Sequence, residues 1–378
     1  MSPAVSAPAA PATVRFVPYT AAEHPAVCAF NERMIAGHAP TDFVLPDRPN
    51  AADRNLDAAI RWTKYIAIDE QAAARGGFLL MEQRGWLNGE SIRVANYQAP
   101  VSEGILNPRY GMVGLHMVRF IQREWPCAFV VGMGTADRPL PRLLTAAGWS
   151  VRDVPFFFRI VRARRVFRNL RPLYARTWSG LGARIAADTG AGWLAARLLH
   201  ARPPLHGTLP LEINRLQAWS EDVDELWQRT AHECAFAVTR DRSTLRALYP
   251  LDDRRYGAYA FTSNGTLRGW AVCAVTAMRD HNYFGDLRIA TILDAWSEPT
   301  AASSIVALLT QHLRRGVDLI ISNQSHRVWA ASFRRAGFAS ARSNYLLALS
   351  KPLTAAIGGA TDRLHVTRGD GDGRIHLI

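Results

Sequence analysis

The chain has 378 residues, of which 48% are hydrophobic and 20% are charged, and its formal net charge is +13. This length predicts two domains of ordinary size, and the apolar fraction is large enough to build their cores. Nearly all of the positive charge is arginine, but no basic run resembles a nucleic-acid arm and no zinc-finger or RNA-binding signature is present, so no nucleic-acid partner is expected. The basic surface points instead to small anionic ligands such as phosphates, or to anionic membrane.

The cysteines and the first residues indicate a cytoplasmic protein. The cysteines form no CxxC pair and have apolar neighbours in the sequence, which predicts buried thiols in a reducing compartment, with no disulfide framework and no metal site: Cys28, Cys127, Cys234 and Cys273. Residues 1–12 are rich in Ala and Pro and predict a disordered tail without a signal core. The sequence has no apolar stretch of about 18 residues, so no membrane-spanning helix is predicted.

From residue 13 onward the predicted elements form an α/β pattern. Residues 21–64 are predicted to be mainly helical with a Pro-rich interruption, and the turn at Asn88-Gly89 predicts a hairpin. The other predicted elements of this half are strands "TVRFVPY", "YIAID", "GGFLLMEQRGW" and "SIRVANYQAPVSEGIL", helix 114–124, strand 128–132, helix 138–147 and strand 154–161. Antiparallel strands followed by strand–helix–strand–helix–strand predict a mixed sheet.

The same order recurs in the second half of the chain. "AAGWSVRDVPFFFRIVR" (146–162) aligns with "RAGFASARSNYLLALSK" (335–351), and each follows a short buried strand and a helix. Glycines 148 and 337 suit the left-handed position that ends a helix. Upstream we predict strand "TLPLEIN", helices from about 220 to 248, and strands "YGAYAFT", "GWAVCAVTAM" and "RIATILDAW". The repeat indicates two copies of one fold.

The segments outside the two copies are less informative. Residues 162–206 hold nine arginines and a single aspartate, with aromatic residues interleaved. They predict either a solvated linker with helices that pack on the domains, or a segment that lies on anionic lipid as a peripheral membrane contact. Residues 353–378 are read as a C-terminal hairpin of "LHVT" and "RIHLI", joined by a Gly-rich turn that contains Asp370 and Asp372 but lacks the further ligands of a calcium loop.

The stretch "NPRYGMVG" (107–114) lies between a predicted strand and a predicted helix. Pro108 restricts the residue before it to extended geometry, and the apolar spacing becomes helical after Gly114. Amide groups at a helix N-terminus bind anions, and glycine lets a pyrophosphate approach the backbone. The stretch therefore predicts either a phosphate-binding loop or an ordinary strand-to-helix turn.

These features resemble the GNAT acyltransferase superfamily, which carries a Q/R-x-x-G-x-G/A signature between its fourth strand and third helix. "RYGMVG" supplies Arg109 and Gly114 at the ends of the signature, while Met112 occupies the slot of the middle glycine. The resemblance implies two tandem GNAT-like domains, each a mixed, mostly antiparallel sheet flanked by helices, at 13–161 and 207–352. It also implies that acetyl-CoA or another acyl-CoA is held by the following residues: Arg109, Tyr110, Gly111, Met112, Val113 and Gly114.

The resemblance also suggests catalytic residues. GNAT proteins usually place an acidic base near the strand before the loop, where this chain has Glu103. The alternative for Glu103 is a surface carboxylate paired with an arginine. A tyrosine four residues ahead of the Gly-aromatic pair often protonates the leaving thiolate; here Leu144 stands there, so Tyr110 becomes a candidate acid. In the second copy the turn lacks glycine and basic residues and carries Glu298, which predicts a degenerate site.

The sequence therefore predicts an acyltransferase of the GNAT N-acyltransferase type, which moves an acyl group from acyl-CoA to an amine or hydroxyl acceptor. The acceptor is an unidentified small molecule or polymer. Two alternatives stay open: a non-catalytic scaffold or binding protein with the GNAT fold, and a Fem-like aminoacyl transferase that uses charged tRNA.

Overall fold

The computed structural model describes residues 13–41, 43–50, 59–169, 200, 209–281, 283–343 and 345–371. Two sheets, each with a mostly antiparallel path of seven strands that contains one parallel pair, are flanked by helices. The predicted α/β fold with two mixed sheets is confirmed. Within the described part of the chain, no helix is long and apolar enough to cross a membrane.

The first sheet is built mainly from the first half of the chain. Its strands, in spatial order, are β1 (Arg15–Pro18), β2 (Ile60–Ile68), β3 (Ala74–Leu87), β4 (Glu90–Ser102), β5 (Ala128–Met133), β15 (Tyr345–Leu349) and β6 (Ser150–Asp153). The turn between β3 and β4 has positive φ at both Asn88 and Gly89, as the predicted hairpin requires. A short strand, β9 (Phe236–Val238), pairs with the end of β3, and β16 (Leu364–His365) pairs with β9.

The second sheet repeats the order of the first. Its strands, in spatial order, are β8 (Glu212–Arg215), β10 (Tyr256–Ser263), β11 (Thr266–Ala277), β12 (Arg288–Ser297), β13 (Leu319–Asn323), β7 (Phe156–Ile160) and β14 (Ala339–Ala341). Each sheet has its parallel pair at the same place, β4 with β5 and β12 with β13. The order of strands thus agrees with the internal repeat seen in the sequence.

The two halves exchange one strand each. β7 comes from the first half but lies in the second sheet, between β13 and β14. β15 comes from the second half but lies in the first sheet, between β5 and β6. The predicted strand 154–161 corresponds to β7, which lies in the second sheet. The residues before it form β6 in the first sheet, and a short link at Val154 and Pro155 leads from one sheet to the other.

In the described part of the chain, helices pack on both faces of the sheets. They are α1 (His24–Ala36), α2 (Val113–Glu124), α3 (Pro139–Ala146), α4 (Ala163–Asn169), α5 (Asp222–Thr230), α6 (Arg242–Leu248), α7 (Ala302–Leu313), α8 (Arg327–Arg335) and α9 (Lys351–Ile357). α2 shows why such segments are helical: Val113, Met117, Val118 and Ile121 recur at helical spacing and are all buried against the first sheet. A further apolar core joins the two sheets, with Met81 from the first and Trp270 from the second.

Several local expectations are wrong. Residues 60–64 form the start of β2 rather than helix, and β9 interrupts the predicted helical region 220–248. Cys28 is exposed on α1 and Cys127 is half-buried, whereas Cys234 and Cys273 are buried and burial raises the pKa of the Cys234 thiol to about 12. "LHVT" pairs in parallel with β9, while "RIHLI" and most of 162–206 lie outside the described residues.

Candidate functional site

The first sheet opens between its parallel strands. β4 and β5 pair only at Ala95 with Ala128 and at Asn96 with Phe129. Beyond this point β4 keeps its pairing with β3, and β5 is paired with β15 on its other side. A bulge follows on β4, where the register against β3 shifts between Leu79 and Gly77. Ala99 lies in this bulge with φ of 44°. The backbone of β4 beyond Asn96 thus faces an opening on the β5 side.

The loop after β4 is compact because its own side chains cap its turns. Ser102 accepts a hydrogen bond from the Gly104 amide (3.1 Å), and Asn107 accepts one from the Arg109 amide (3.0 Å). A Cβ added at Gly104 would lie 2.7 Å from the carbonyl oxygen of Tyr110, so only glycine fits there. Two 3-10 turns therefore carry the chain from β4 to the start of α2.

The N-terminus of α2 offers free amide groups beside this opening. Met112 is the N-cap residue and makes no side-chain capping hydrogen bond. Among the residues that the structure describes, none accepts a hydrogen bond from the amides of Val113, Gly114 or Leu115. Since the helix dipole also favours negative charge here, this end of α2 is suited to an anion.

The predicted coenzyme-binding residues are gathered at this helix start. Gly114 has helical backbone, and a Cβ added to it would be 3.4 Å from Leu143 of α3. Arg109 and Met112 are exposed, and no carboxylate within the described ranges pairs with Arg109. Gly111 bonds back to Pro108 and closes the second turn. With Met112 in the slot of the middle glycine, an exposed Met112 side chain lies at the N-cap, and no side chain caps the first amides of α2.

Glu103, the predicted base, lies in a network of ion pairs. Its carboxylate, about 7% exposed, accepts hydrogen bonds from Arg33 of α1 (3.0 Å) and from Arg75 of β3 (3.1 Å). Arg75 also pairs with Asp69 (2.7 Å). Burial opposes ionisation of Asp69, but hydrogen bonds from Arg75 and from the Ala73 amide outweigh it and hold the pKa of this carboxyl below its ordinary value. The network ties the start of the loop to α1 and β3.

Tyr110, the predicted acid, is buried under the same network. Its ring lies in the apolar core that α2 forms with the first sheet, and the Arg75 guanidinium lies over it at 4.2 Å from the centroid. Leu144 of α3, which replaces the tyrosine of the GNAT pattern, is fully buried in that core. The structure therefore brings Glu103 and Tyr110 together through Arg75; the catalytic role of each stays a prediction.

Asn96 lies at the opening of the first sheet and was not among the residues predicted from the sequence. It is fully buried at the last pair between β4 and β5, and its Nδ2 donates to the carbonyl oxygen of Asp370 (2.6 Å). Its Oδ1 has no hydrogen-bond partner in the described part of the molecule. The sequence offered one indication, an amide side chain within the apolar run "VANY". A polar side chain that is buried with its strand normally has a hydrogen-bond partner, so its position there is informative.

The equivalent opening of the second sheet is filled by the chain itself. β12 and β13 pair only from Ile289 to Ile292, and the C-terminal segment, residues 364–371, lies where they separate. Ser325 donates its amide to the Val366 carbonyl (3.1 Å), and Thr367 donates to Asp294 (3.2 Å). At the start of α7, Glu298 pairs with Arg268 (3.1 Å). The chain's own residues thus occupy this place in the second sheet, and the degenerate second site stays a prediction.

A buried charge cluster holds the C-terminal segment in place. Arg240 lies 2.8 Å from Asp294 and 2.6 Å from Asp370, and all three are at most 1% exposed. Burial would raise the pKa of Asp294, but Arg240 and His365 outweigh it and keep this pKa below its ordinary value. Asp370, read from the sequence as part of a Gly-rich surface turn, is thus a buried anchor. No metal-binding group of three His, Cys, Asp or Glu residues occurs within the described part.

Comparison with known proteins adds similarities of fold. No family model and no curated protein matches the chain. Among solved structures, a GCN5-related N-acetyltransferase from Anabaena variabilis is 14% identical with a TM-score of 0.45, and the match covers 75% of this chain and 62% of that one. The chain thus spans less than two thirds of the length of the Anabaena protein.

Two further solved structures are similar over more of the chain. A probable N-acyltransferase from Enterococcus faecalis is 10% identical with a TM-score of 0.48, covering 89% of this chain and 72% of that one. Saccharomyces cerevisiae N-myristoyltransferase with bound myristoyl-CoA is 11% identical with a TM-score of 0.45, covering 90% and 80%. At this level a likeness says nothing about activity, so function has to be argued from the residues of this chain.

Proposed function

We propose that the chain binds an acyl-CoA at the N-terminus of α2 and transfers the acyl group to an amine or a hydroxyl. One observation carries the proposal: an uncapped helix N-terminus lies beside the place where β4 and β5 separate. The amides of Val113, Gly114 and Leu115 suit a pyrophosphate. The opening beyond Asn96 suits an extended arm that carries amide groups, because β4 offers backbone partners there.

The reaction needs an attacking group, a stabilised oxyanion and a place for protons. The nucleophile attacks the thioester carbonyl carbon, the new C–N or C–O bond forms, and the C–S bond breaks to release the coenzyme thiol. The backbone amide of Ala99, in the β4 bulge, is the donor proposed for the developing oxyanion, since Pro100 beside it has no N–H. Glu103 and Tyr110 remain the candidate base and acid, although the two arginines on Glu103 favour a role in holding the loop.

The experiment tests the helix start directly. Gly114→Glu places a side chain and a negative charge against the proposed pyrophosphate position, and Gly114 has helical backbone that glutamate accepts readily. We expect acetyl-CoA and palmitoyl-CoA, titrated by calorimetry, to bind at least tenfold more weakly, a loss of about 1.4 kcal/mol. Arg123→Gln, at the exposed other end of α2, makes the same change in net charge and should bind like the parent.

Two outcomes count against the proposal. If Gly114→Glu folds and binds acyl-CoA as tightly as the parent, the loop is only a turn. If the parent binds acyl-CoA but acylates none of a panel of amines and alcohols, the scaffold alternative replaces the acyltransferase.

A further inference from the structure

Apart from the opening of the first sheet, a pocket lies on one face of the second sheet. It has a volume of about 450 Å³ and is open to solvent on one side. Its floor is formed by alternate residues of β7 and by their partners on β13, since Ile160 pairs with Leu319 and Phe158 pairs with Ile321. The neighbouring Phe157 points to the opposite face, where it is fully buried. The floor of the pocket is thus a continuous apolar surface.

The walls of the pocket are also apolar. Val166 of α4 and Phe284 of the β11–β12 loop close one end, and Tyr283 of the same loop is 56% exposed. The floor rings Phe156 and Phe158 are stacked, with centroids 6.1 Å apart, and both remain partly exposed. Exposed aromatic rings inside a concave surface are typical of a ligand site.

Two arginines stand at the other end of the pocket, Arg342 and Arg368. The Nε of Arg368 donates to Asn323 (3.2 Å), which fixes the direction of its guanidinium. No carboxylate among the described residues pairs with either arginine. Among the described residues, the other titratable side chains of the pocket wall are Tyr283 and His281, and the Nδ1 of His281 accepts hydrogen bonds from the amides of Tyr283 and Phe284. A ligand with an apolar body and one anionic group at its end matches this distribution of apolar and positively charged side chains.

The cationic end of the pocket adjoins the opening of the first sheet. The Arg368 guanidinium lies 5.4 Å from the centre of the Tyr345 ring, and the Tyr345 hydroxyl donates to the Arg368 carbonyl (3.1 Å). Tyr345 is paired with Met133 at the end of β5, which is one wall of that opening. If the anionic group of a ligand binds these arginines, it lies at the end of the pocket that adjoins the opening of the first sheet. The atoms next to that group are then the part of the ligand nearest to the opening.

We infer that this pocket is the acceptor site and that the acceptor is an apolar α-amino acid. Its carboxylate pairs with Arg342 and Arg368, its side chain lies on Phe156 and Phe158, and its α-amine is directed toward the acyl group. The inference rests on the proposed function. The ammonium gives one proton to water, and the amine attacks the thioester carbonyl carbon. As the C–N bond forms and the C–S bond breaks, the second proton leaves nitrogen and the coenzyme departs as a thiol.

The test uses the full chain with L-phenylalanine as acceptor and acetyl-CoA as donor. We expect N-acetyl-L-phenylalanine by mass spectrometry, and at least tenfold lower kcat/KM with phenethylamine, which lacks the carboxylate, and with glycine, which lacks the side chain. Arg342→Gln removes an exposed guanidinium and should lower kcat/KM for phenylalanine at least tenfold while acetyl-CoA binds unchanged. Arg123→Gln, far from the pocket, is the charge-matched control.

A second variant tests the pocket by filling it. Ala341→Trp places a ring at the exposed rim of β14 and should weaken phenylalanine binding at least tenfold in calorimetry without acyl-CoA. Acetyl-CoA binding with neither binding nor acylation of phenylalanine overturns the acceptor site and leaves the proposed function standing. Arg342-dependent phenylalanine binding without acyl-CoA binding supports the pocket and overturns the proposed function. If Ala341→Trp weakens palmitoyl-CoA but not phenylalanine, the pocket holds an acyl chain and the inference is wrong.

Discussion

At the scale of single residues, the sequence located Glu103 correctly after a strand but not its surroundings. Its partners Arg33 and Arg75 are 70 and 28 positions away in the chain. No local pattern relates such distant residues, because their contact depends on how α1 packs on β3. The same limit applies to Asn96, whose partner Asp370 is 274 positions away. By contrast, the helix start at Val113 was predictable to within one residue, because proline, glycine and apolar spacing are local properties.

The ion pairs of Glu103 lead to a prediction about the loop. Glu103→Gln removes the charge that Arg33 and Arg75 share, so the loop should loosen and acyl-CoA should bind several-fold more weakly. The free energy of unfolding, measured with urea, should fall by about 1–3 kcal/mol, as expected for lost hydrogen bonds to charged groups. Glu124→Gln, which removes an exposed carboxylate paired with Arg123, should change stability by less than about 1 kcal/mol.

A different result for Glu103→Gln would favour a catalytic role for Glu103 over a role in holding the loop. If Glu103→Gln keeps the stability and the acyl-CoA affinity of the parent while kcat falls, the carboxylate acts as the base in turnover.

At the scale of elements, helices and long strands were predictable, whereas short elements that depend on distant pairing were not. β3, β4 and α2 have clear alternation or helical spacing. β9 has three residues and β16 has two, and they pair across more than a hundred positions. Their sequences carry too few residues for a periodic pattern. The C-terminal segment was therefore read as a hairpin, although it fills the opening of the second sheet.

The packing of this segment makes stability depend on pH. His326, the N-cap residue of α8, is buried near His365, and burial lowers its pKa to about 4. His365 and Arg327 act in the same direction, while Asp362 and a hydrogen bond with Glu233 oppose it. The unfolded chain takes up this proton near pH 6.5 and the folded chain only near pH 4, so stability should fall as pH drops through this window.

The expected change in the free energy of unfolding is large enough to measure. Through His326 alone, the free energy of unfolding should fall by about 2 kcal/mol between pH 8 and pH 5. Urea unfolding of His326→Gln should show a pH dependence smaller by this amount, whereas the exposed His232→Gln should keep that of the parent. An unchanged pH dependence in His326→Gln would mean that this side chain is protonated equally in both states.

At the scale of the whole molecule, the sequence revealed two copies but not the exchange between them. "FFFRI" and "YLLAL" have similar length and apolar content, so either strand suits either sheet. Which sheet receives each is set by the links that precede the two strands, and these links meet where the Ser343 hydroxyl donates to the Val154 carbonyl. The exchange means that each sheet is completed by the other half of the chain. We therefore expect neither half to be stable alone.

The asymmetry between the two openings determines how many coenzyme molecules bind. In the first, the amides of α2 are uncapped and β4 has no partner among the described residues on its β5 side beyond Asn96; in the second, the C-terminal segment lies between β12 and β13. Calorimetric titration should therefore reach saturation at one acyl-CoA per chain. Ser303→Glu, at the position of α7 that matches Gly114 of α2, should leave both the affinity and this stoichiometry unchanged, whereas Gly114→Glu weakens the single site. Saturation at two equivalents would show that acyl-CoA displaces the C-terminal segment, and the second opening would then be a working site.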